Sequence, residues 1–281
     1  MNLPDFAAGL PKAVAIDLDG TLLDSHGEIS PRTHLALELC TETGLAVIIA
    51  TARPARWMPR LFTEKELAAF SFINQNGSVV RASPPFSGSH KVEIPPGVLD
   101  AALATLQTLE PDIRLTLEIE GCEFGGNVSA DPDRLWARNA ATPDMYLPLE
   151  AARALDPSKI AASCGGRDLS SLTEQLEVRF GDVLSIVPGD GLTFLNITMK
   201  EATKPAAIEK LVASAGWTLN DVLALGDDIP DLDMLRACGT AVAMANACHE
   251  VLAVCPYRTL SNDEGGVALV LEKLLETSAP R

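Results

Sequence analysis

The stretch that decides the fold is AVAIDLDGTLL, residues 13–23. Its apolar beginning predicts a short buried strand, and that strand ends in two acids one residue apart, Asp17 and Asp19. Side chains two residues apart in a strand point to the same side, and Gly20 lets the backbone turn sharply behind them. Open α/β sheets bind ligands at the carboxyl ends of their strands, so the stretch predicts an acidic site there. The pair Asp19-Gly20 alone also suits an Asx-type turn that closes a hairpin.

Strands and helices alternate after this stretch. Ser30-Pro31 begins a helix with an N-cap and a first-turn proline, and Gly44 ends it. The predicted elements are a helix over 31–43, a strand over 45–50 that ends at Thr51, a helix over 54–62, and a strand at 72–73. This alternation is typical of a mostly parallel, Rossmann-like sheet with helices on both faces.

A different pattern begins at about residue 83, where a segment rich in Ser, Pro and Gly indicates a linker. The elements predicted beyond it are helices over 96–109 and 169–180, and strands over 113–119, 183–187 and 192–198, the last two joined by Gly189-Asp190-Gly191. Residues 121–168 carry no predicted element. Strands in runs with few helices favour an α+β unit built on an antiparallel sheet.

The α/β alternation resumes at Lys204, which begins a predicted helix that runs to about Ala215. A strand over 222–226 follows and ends in acids again, and beyond it come a helix over 232–237, a strand over 240–244 and a helix over 265–276. The sequence therefore predicts a Rossmann-like α/β core domain, residues 1–82 and 196–281, that is interrupted by an inserted α+β domain, residues 83–195.

The composition excludes some classes of partner. With 22 basic and 38 acidic residues, the formal net charge is −16, which makes nucleic acid and membrane surfaces poor partners. A small anionic substrate would need cations within its site. The six cysteines are scattered without a CxxC pair, and we expect reduced core thiols. No basic and apolar leader begins the chain and no apolar run approaches ~20 residues, which predicts a soluble cytoplasmic protein.

Four motifs, in order, resemble those of the haloacid dehalogenase (HAD) superfamily of phosphatases. They are Asp-x-Asp-x-Thr at residues 17–21, a Thr that ends an apolar strand at Thr51, a Lys at Lys204, and Gly-Asp-x-x-x-Asp at residues 226–231. Asn76-Gly77 and residues 243–247 and 265–268 further resemble the Cof-type branch of that superfamily. That branch has a large cap domain between its second and third motifs, where the inserted domain of this chain lies.

The resemblance implies a chemical role for three acids. Asp17 would attack phosphorus and form an aspartyl-phosphate, which divides the reaction into two steps. Asp19 would protonate the leaving oxygen and then deprotonate the water that cleaves the intermediate. Mg²⁺ would be held by the Asp17 carboxylate, the Asp19 carbonyl oxygen and Asp227.

The resemblance also implies which residues bind the phosphate. The Thr51 hydroxyl and the Ala52 N–H would donate to phosphoryl oxygens, and Lys204 would supply a fixed positive charge. Lys200, near the start of the same predicted helix, competes with Lys204 for that role, but Lys204 is preferred because it matches the register of the family before the helix face of Ala207, Ile208 and Leu211. Arg53 is a candidate substrate contact, although a surface ion pair would explain it equally well.

The resemblance also implies that two further acids, Asp228 and Asp231, lie next to the metal ligands without binding the metal themselves. Asp231 is also a candidate to orient Lys204, whereas Asp228 suits a helix cap equally well.

The chain departs from the branch at two positions. Ala52 replaces a usual Gly, which preserves the backbone only if φ is negative. Pro230 replaces a usual Asn and removes both a side-chain amide and a backbone donor.

The sequence therefore predicts a Mg²⁺-dependent phosphatase of a small phosphorylated metabolite, either a sugar phosphate or a phosphoglycerate-type ester. One alternative is a phosphotransferase or sugar phosphomutase of the same superfamily. Another is a catalytically idle regulator that binds a metabolite. Arginines of the inserted domain are candidate leaving-group contacts: Arg114, Arg134, Arg138, Arg167 and Arg179.

Overall fold

The computed structural model describes residues 1–129, 135, 137, 139–189 and 191–278. Its strands are β1 (Ala13–Ile16), β2 (Ala46–Ala50), β3 (Ser71–Asn74), β4 (Val79–Arg81), β5 (His90–Lys91), β6 (Arg114–Glu118), β7 (Phe124–Gly126), β8 (Tyr146–Pro148), β9 (Lys159–Ser163), β10 (Leu184–Gly189), β11 (Phe194–Met199), β12 (Val222–Gly226), β13 (Thr240–Ala243) and β14 (Tyr257–Arg258). Its helices are α1 (Pro31–Glu42), α2 (Met58–Leu61), α3 (Glu64–Ala69), α4 (Pro96–Leu109), α5 (Leu149–Arg153), α6 (Ser170–Phe180), α7 (Lys204–Ser214), α8 (Leu232–Ala237), α9 (His249–Val254) and α10 (Gly266–Ser278). The sequence-based candidates Arg134 and Arg138 and the predicted turn residue Asp190 lie outside the described residues.

The chain divides into two compact units. The first consists of Met1–Ala52, Leu61–Ser89 and Lys204–Arg281, and the second of Arg53–Arg60 and His90–Thr203. The short segment Arg53–Arg60 therefore groups with the second unit, although it follows β2 of the first. Within the part of the chain that the structure describes, no helix is long and apolar enough to span a membrane.

The first unit is built on a mostly parallel sheet. Its strand order is β14-β13-β12-β1-β2-β3-β4, and only the β3–β4 pair in this order is antiparallel. Every residue of β1, β2 and β12 is buried, as expected for apolar strands that are covered on both faces. The predicted α/β class is confirmed, and β1 lies between β2 and β12 in parallel with both.

The second unit contains a six-stranded sheet with the order β10-β11-β9-β6-β7-β8. All of its strand pairs are antiparallel except β7 with β8, which agrees with the predicted α+β unit. Apolar side chains such as Leu115, Leu117 and Ile160 form one core with Leu106 of α4 and Leu176 of α6. The strands therefore bury one face against helices.

Buried charged side chains lie within the same sheet and beside it. The Arg56 guanidinium donates to both Glu118 oxygens, at 2.5 and 2.8 Å, and lies 4.2 Å from the centre of the Phe124 ring. Lys159 is the cross-strand partner of Glu118 and is only 6% exposed. Burial lowers the pKa of Lys159 to about 8, although the Glu118 carboxylate partly opposes that shift. The six cysteines are free thiols in the structure; four of them are buried, whereas Cys248 is half-buried and Cys122 is exposed and is not the core thiol that the sequence predicted.

Candidate active site

Three polar residues lie at the same edge of the sheet of the first unit. Asp17 directly follows β1, Thr51 follows β2, and Asp227 follows β12. The carboxyl ends of parallel neighbours lie side by side, so the pairing of β1 with both other strands brings these residues together. The ladder continues into the site, since Asp17 N–H donates to the Leu225 carbonyl at 3.1 Å.

Lys204 lies within this acidic edge. It is the first residue of α7 and is 3% exposed, and its Nζ lies 2.6 Å from Asp17 Oδ1 and 2.7 Å from Asp231 Oδ1. Burial alone would lower the pKa of Lys204, but the two carboxylates outweigh it, and the net shift is upward. The ammonium is therefore charged at neutral pH. Lys200, the competing lysine, is exposed and donates instead to the Gly181 carbonyl of the second unit.

Asp231 connects the lysine to the turn after β12. Its Oδ1 accepts from Lys204, and its Oδ2 accepts from the N–H groups of Asp227, at 3.0 Å, and Asp228, at 3.3 Å. A Cβ at Gly226 would lie 2.7 Å from Asp231 Cβ, so only glycine permits this close approach. Asp231 therefore fixes both the ammonium and the acidic turn, whereas the exposed Asp228 lies at the start of that turn.

Asp227 is held against the loop that leaves β1. Thr21 Oγ1 donates to Asp227 Oδ1 at 2.7 Å, and a Cβ at Gly20, whose φ is +79°, would overlap Asp227 Oδ2. Burial raises the pKa of Asp227 to about 6, with the Asp231 and Asp228 charges adding to the shift and the Thr21 hydrogen bond opposing it. The first and fourth motifs are therefore packed together through Gly20.

The acidic residues form a set of oxygen donors. Carboxylate oxygens of Asp17, Asp227 and Asp231 all lie within 4.8 Å of one another. Burial raises the pKa of Asp17, the charges of Asp231 and Asp227 add to that shift, and Lys204 opposes it. A hard divalent cation such as Mg²⁺ suits such donors. Both oxygens of Asp231 already accept hydrogen bonds, which leaves Asp17 and Asp227 as the better carboxylate ligands.

Asp19 lies on the loop after β1 and is exposed, and its backbone forms an isolated bridge with Leu23. Two asparagines hold this loop from the last quarter of the chain. Asn246 Nδ2 donates to the Gly20 carbonyl at 2.8 Å, and Asn262 Nδ2 donates to the Leu23 carbonyl at 2.9 Å. Asn262 N–H also donates to Asn246 Oδ1, which links the pair. The sequence predicts no role for either residue, and only the resemblance of residues 243–247 to the Cof-type branch pointed to Asn246.

The second motif is a buried bend. Thr51 is 1% exposed, and Ala52 is not among the residues with positive φ, so replacement of the usual glycine requires no left-handed backbone. Arg53 belongs to the second unit, where its guanidinium lies 4.4 Å from the centre of the Trp57 ring. Pro230 lies in the 3₁₀ turn Ile229–Asp231, at a first-turn position where the missing N–H has no intrahelical partner to lose.

The candidate arginines of the second unit that the structure describes are all exposed: Arg114, Arg167 and Arg179. Arg167 forms an ion pair with Glu110 at 3.1 Å, and Arg179 stacks on Phe180. Arg56, a buried arginine of this unit, was absent from the sequence-based candidates. Its partner Glu118 is distant in sequence, and no local pattern joins the two residues.

The site combines an aspartate at the end of a central parallel strand, a buried lysine and an acidic turn. This combination defines a class of α/β hydrolase, which the family match identifies. The chain belongs to the family of haloacid dehalogenase-like hydrolases, whose characteristic sequence it matches over residues 14–271. This confirms the resemblance that the four motifs indicated. Members of this family are generally Mg²⁺-dependent, and the chain is a phosphoric monoester hydrolase of the family.

Individual relatives match over nearly their whole length. A Haemophilus influenzae protein named "Putative phosphatase" is 31% identical over 275 residues, covering 93% of this chain and 97% of its own. The 5-amino-6-(5-phospho-D-ribitylamino)uracil phosphatase YwtE of Bacillus subtilis is 24% identical over 285 residues, covering 94% and 98%. The crystal structure of TM0651 from Thermotoga maritima superposes with a TM-score of 0.78 at 25% identity, covering 94% and 97%.

Proposed function

We propose that the protein is a Mg²⁺-dependent phosphatase that hydrolyses a small phosphorylated metabolite through an aspartyl-phosphate on Asp17. One observation carries the proposal: the Asp17 carboxylate lies 2.6 Å from the buried Lys204 ammonium, with Asp227 within reach of the same point. A carboxylate that attacks a phosphate monoester needs fixed positive charge beside it, because two anions otherwise repel each other.

Each step of the reaction is assigned to residues of the chain. An Asp17 oxygen attacks phosphorus, and the bond to the leaving oxygen breaks as Asp19 gives that oxygen a proton. Asp19 then takes a proton from water, whose oxygen attacks phosphorus and frees Asp17 and inorganic phosphate. Thr51, the Ala52 N–H and Lys204 bind the phosphoryl oxygens throughout.

The metal is proposed to bind at the Asp17 and Asp227 carboxylates and the Asp19 carbonyl oxygen. When bound, Mg²⁺ supplies positive charge that neutralises the phosphoryl oxygens. Asp231, occupied by Lys204 and two backbone N–H groups, serves instead to hold the lysine and the turn. Asp228 is assigned only to that turn.

The substrate is proposed to be a sugar phosphate or a phosphoglycerate-type ester, selected by an inserted cap over about residues 83–195, in a cytoplasmic enzyme. The name of the B. subtilis relative YwtE supports a phosphate on a polyhydroxylated chain. Arg53 stays a candidate substrate contact. Nothing in the described residues favours nucleic acid or membrane as a partner.

The test is release of inorganic phosphate from p-nitrophenyl phosphate with and without Mg²⁺. We expect activity to require Mg²⁺, and Asp17→Asn to lower kcat by more than about 10³-fold, since it removes the nucleophile. The matched control is Asp233→Asn, because Asp233 is an exposed acid of α8 and lies outside the cluster. Activity that survives EDTA or Asp17→Asn would refute the mechanism. Labelled phosphate that appears on another sugar carbon would favour a mutase, and ligand-induced stabilisation without turnover would favour a regulator.

A further inference from the structure

The turn that follows β3 has an unusual backbone. Gln75, Asn76 and Gly77 all adopt positive φ, at 52°, 57° and 114°. This region is sterically costly for any residue with a Cβ, although asparagine tolerates it better than most. The turn is also largely interior, since Gln75 and Ser78 are 0% exposed. Strained backbone in a buried turn is often found at functional sites.

Two polar side-chain atoms at this turn have no hydrogen-bond partner among the described residues. Asn76 Oδ1 and Ser78 Oγ are buried and accept or donate no hydrogen bond within the part of the chain that the structure describes. A buried polar atom without a partner destabilises a fold. A hydrogen bond to Asn76 Oδ1 is therefore not the reason for asparagine at this position.

The backbone of the turn, in contrast, holds Thr51. Asn76 N–H donates to the Thr51 carbonyl at 3.0 Å, and Thr51 N–H donates to the Ile73 carbonyl at 2.8 Å. Both backbone polar groups of Thr51 are thus bonded to β3 and its turn, which fixes the backbone from which the Thr51 side chain projects. The turn also packs against α7, the helix that begins with Lys204. It therefore contacts the elements that carry two of the proposed phosphate-binding residues.

We propose that Asn76 is a positioning residue for phosphoryl transfer. Its left-handed backbone directs its N–H at the Thr51 carbonyl and so aims the Thr51 hydroxyl at the phosphoryl group. The inference rests on the proposed function, because Thr51 binds phosphate only within that proposal. It assigns the role to the backbone of Asn76 and not to its amide, which distinguishes it from a substrate contact.

The test compares Asn76→Ala with Asn76→Gly, using p-nitrophenyl phosphate and Mg²⁺. Alanine retains the N–H but resists positive φ, whereas glycine adopts it freely. We expect Asn76→Ala to lower kcat at least about tenfold and Asn76→Gly to stay within about threefold of the unchanged enzyme. Gly44→Ala is the matched control, because its φ is +89° and its new Cβ would meet nothing within 4 Å. That control is expected to lose stability while keeping its kcat.

A double-mutant cycle separates positioning from a general structural role. In a Thr51→Ala background, Asn76→Ala should lower kcat by less than about threefold further, because the hydroxyl that it aims is absent. A full tenfold loss in that background, or equal losses for Asn76→Gly and Asn76→Ala, would overturn the inference. Should Asn76→Ala not fold, Gly77→Ala takes its place in the cycle, since its φ of 114° imposes the same conflict.

The same assays separate this inference from the proposed function. Activity that persists in Asp17→Asn overturns the proposed function and the inference together. Activity that is lost in Asp17→Asn but unchanged in the Asn76 variants overturns the inference alone.

Discussion

Replacing Lys204 with methionine is expected to destabilise the first unit strongly and in a pH-dependent way. Methionine has a similar length and no charge, so the change removes the ammonium and little volume. In the structure that ammonium lies 2.6 Å from Asp17 and 2.7 Å from Asp231, and the three side chains are 3%, 10% and 2% exposed. Two buried carboxylates would therefore lose the cation that they share.

The size of the effect follows from burial. Breaking a buried ion pair by removal of one partner costs about 3–5 kcal/mol, because it leaves an uncompensated charge. Protonation of one carboxyl limits the loss in the variant, since burial and the Asp231 charge already raise the pKa of Asp17. A carboxyl whose pKa is raised in the folded state binds protons that the unfolded chain has released, so stability falls as pH rises. The loss of unfolding free energy caused by Lys204→Met should therefore be greater at pH 7.5 than at pH 5.

The assay is urea unfolding followed by circular dichroism at both pH values. Lys200→Met is the matched control, because Lys200 is exposed and donates to the Gly181 carbonyl rather than to a carboxylate; it should change stability by less than about 0.5 kcal/mol. A deficit below about 1 kcal/mol for Lys204→Met at pH 7.5, or one that shrinks as pH rises, would refute the reasoning. The variant should also lack phosphatase activity.

Two further predictions concern a glycine and a buried lysine. Gly20→Ala and Gly27→Ala start from the same φ of +79°, but only at Gly20 would the Cβ overlap Asp227. Both should lose roughly 1–2 kcal/mol to backbone strain, while Gly20→Ala should lose more and also lose phosphate release from p-nitrophenyl phosphate. Equal activity in the two variants would contradict this. The pKa of Lys159 is about 8 in the folded protein, whereas an unperturbed lysine has a pKa of 10.5. Between these two pH values the unfolded chain therefore binds more protons than the folded protein. Wild type should therefore gain about 2 kcal/mol over Lys159→Met between pH 7 and 9.5 in urea unfolding, and a flat difference would contradict this.

Local patterns in the sequence were sufficient to predict most of the first unit. The predicted helix over 31–43 corresponds to Pro31–Glu42, and the predicted strand over 222–226 is Val222–Gly226. Such elements are marked by caps, glycines and unbroken apolar runs, which act over a few residues. The predicted helix over 54–62 is instead a 3₁₀ turn followed by the four-residue helix Met58–Leu61. Packing of Arg56 on Glu118 holds that segment, and its local sequence carries no sign of this contact.

The candidate site was predictable in its chemistry but not in its supports. The choice of Lys204 over Lys200 depended on register and agrees with the position of its ammonium between Asp17 and Asp231. The bond from Asn262 to Leu23 spans most of the chain, and although the pair Asn76-Gly77 is typical of a turn with positive φ, no local pattern shows that this turn holds Thr51. Residues 121–168 gave no pattern because their elements are short; β7 and β8, for example, have three residues each.

The central place of β1 in the sheet affects how the chain folds while it is being synthesised. One partner of β1 is β2, close behind it in the chain, but the other, β12, is translated about 200 residues later. At ~5–20 residues per second, a ribosome needs roughly 10–40 s to bridge that interval. Throughout it, one edge of β1 lacks its strand partner, which makes the nascent chain a target for aggregation or for chaperones. Because Lys204 and Asp227 also emerge late, a chain still on the ribosome has the proposed nucleophile without its cation or metal ligand.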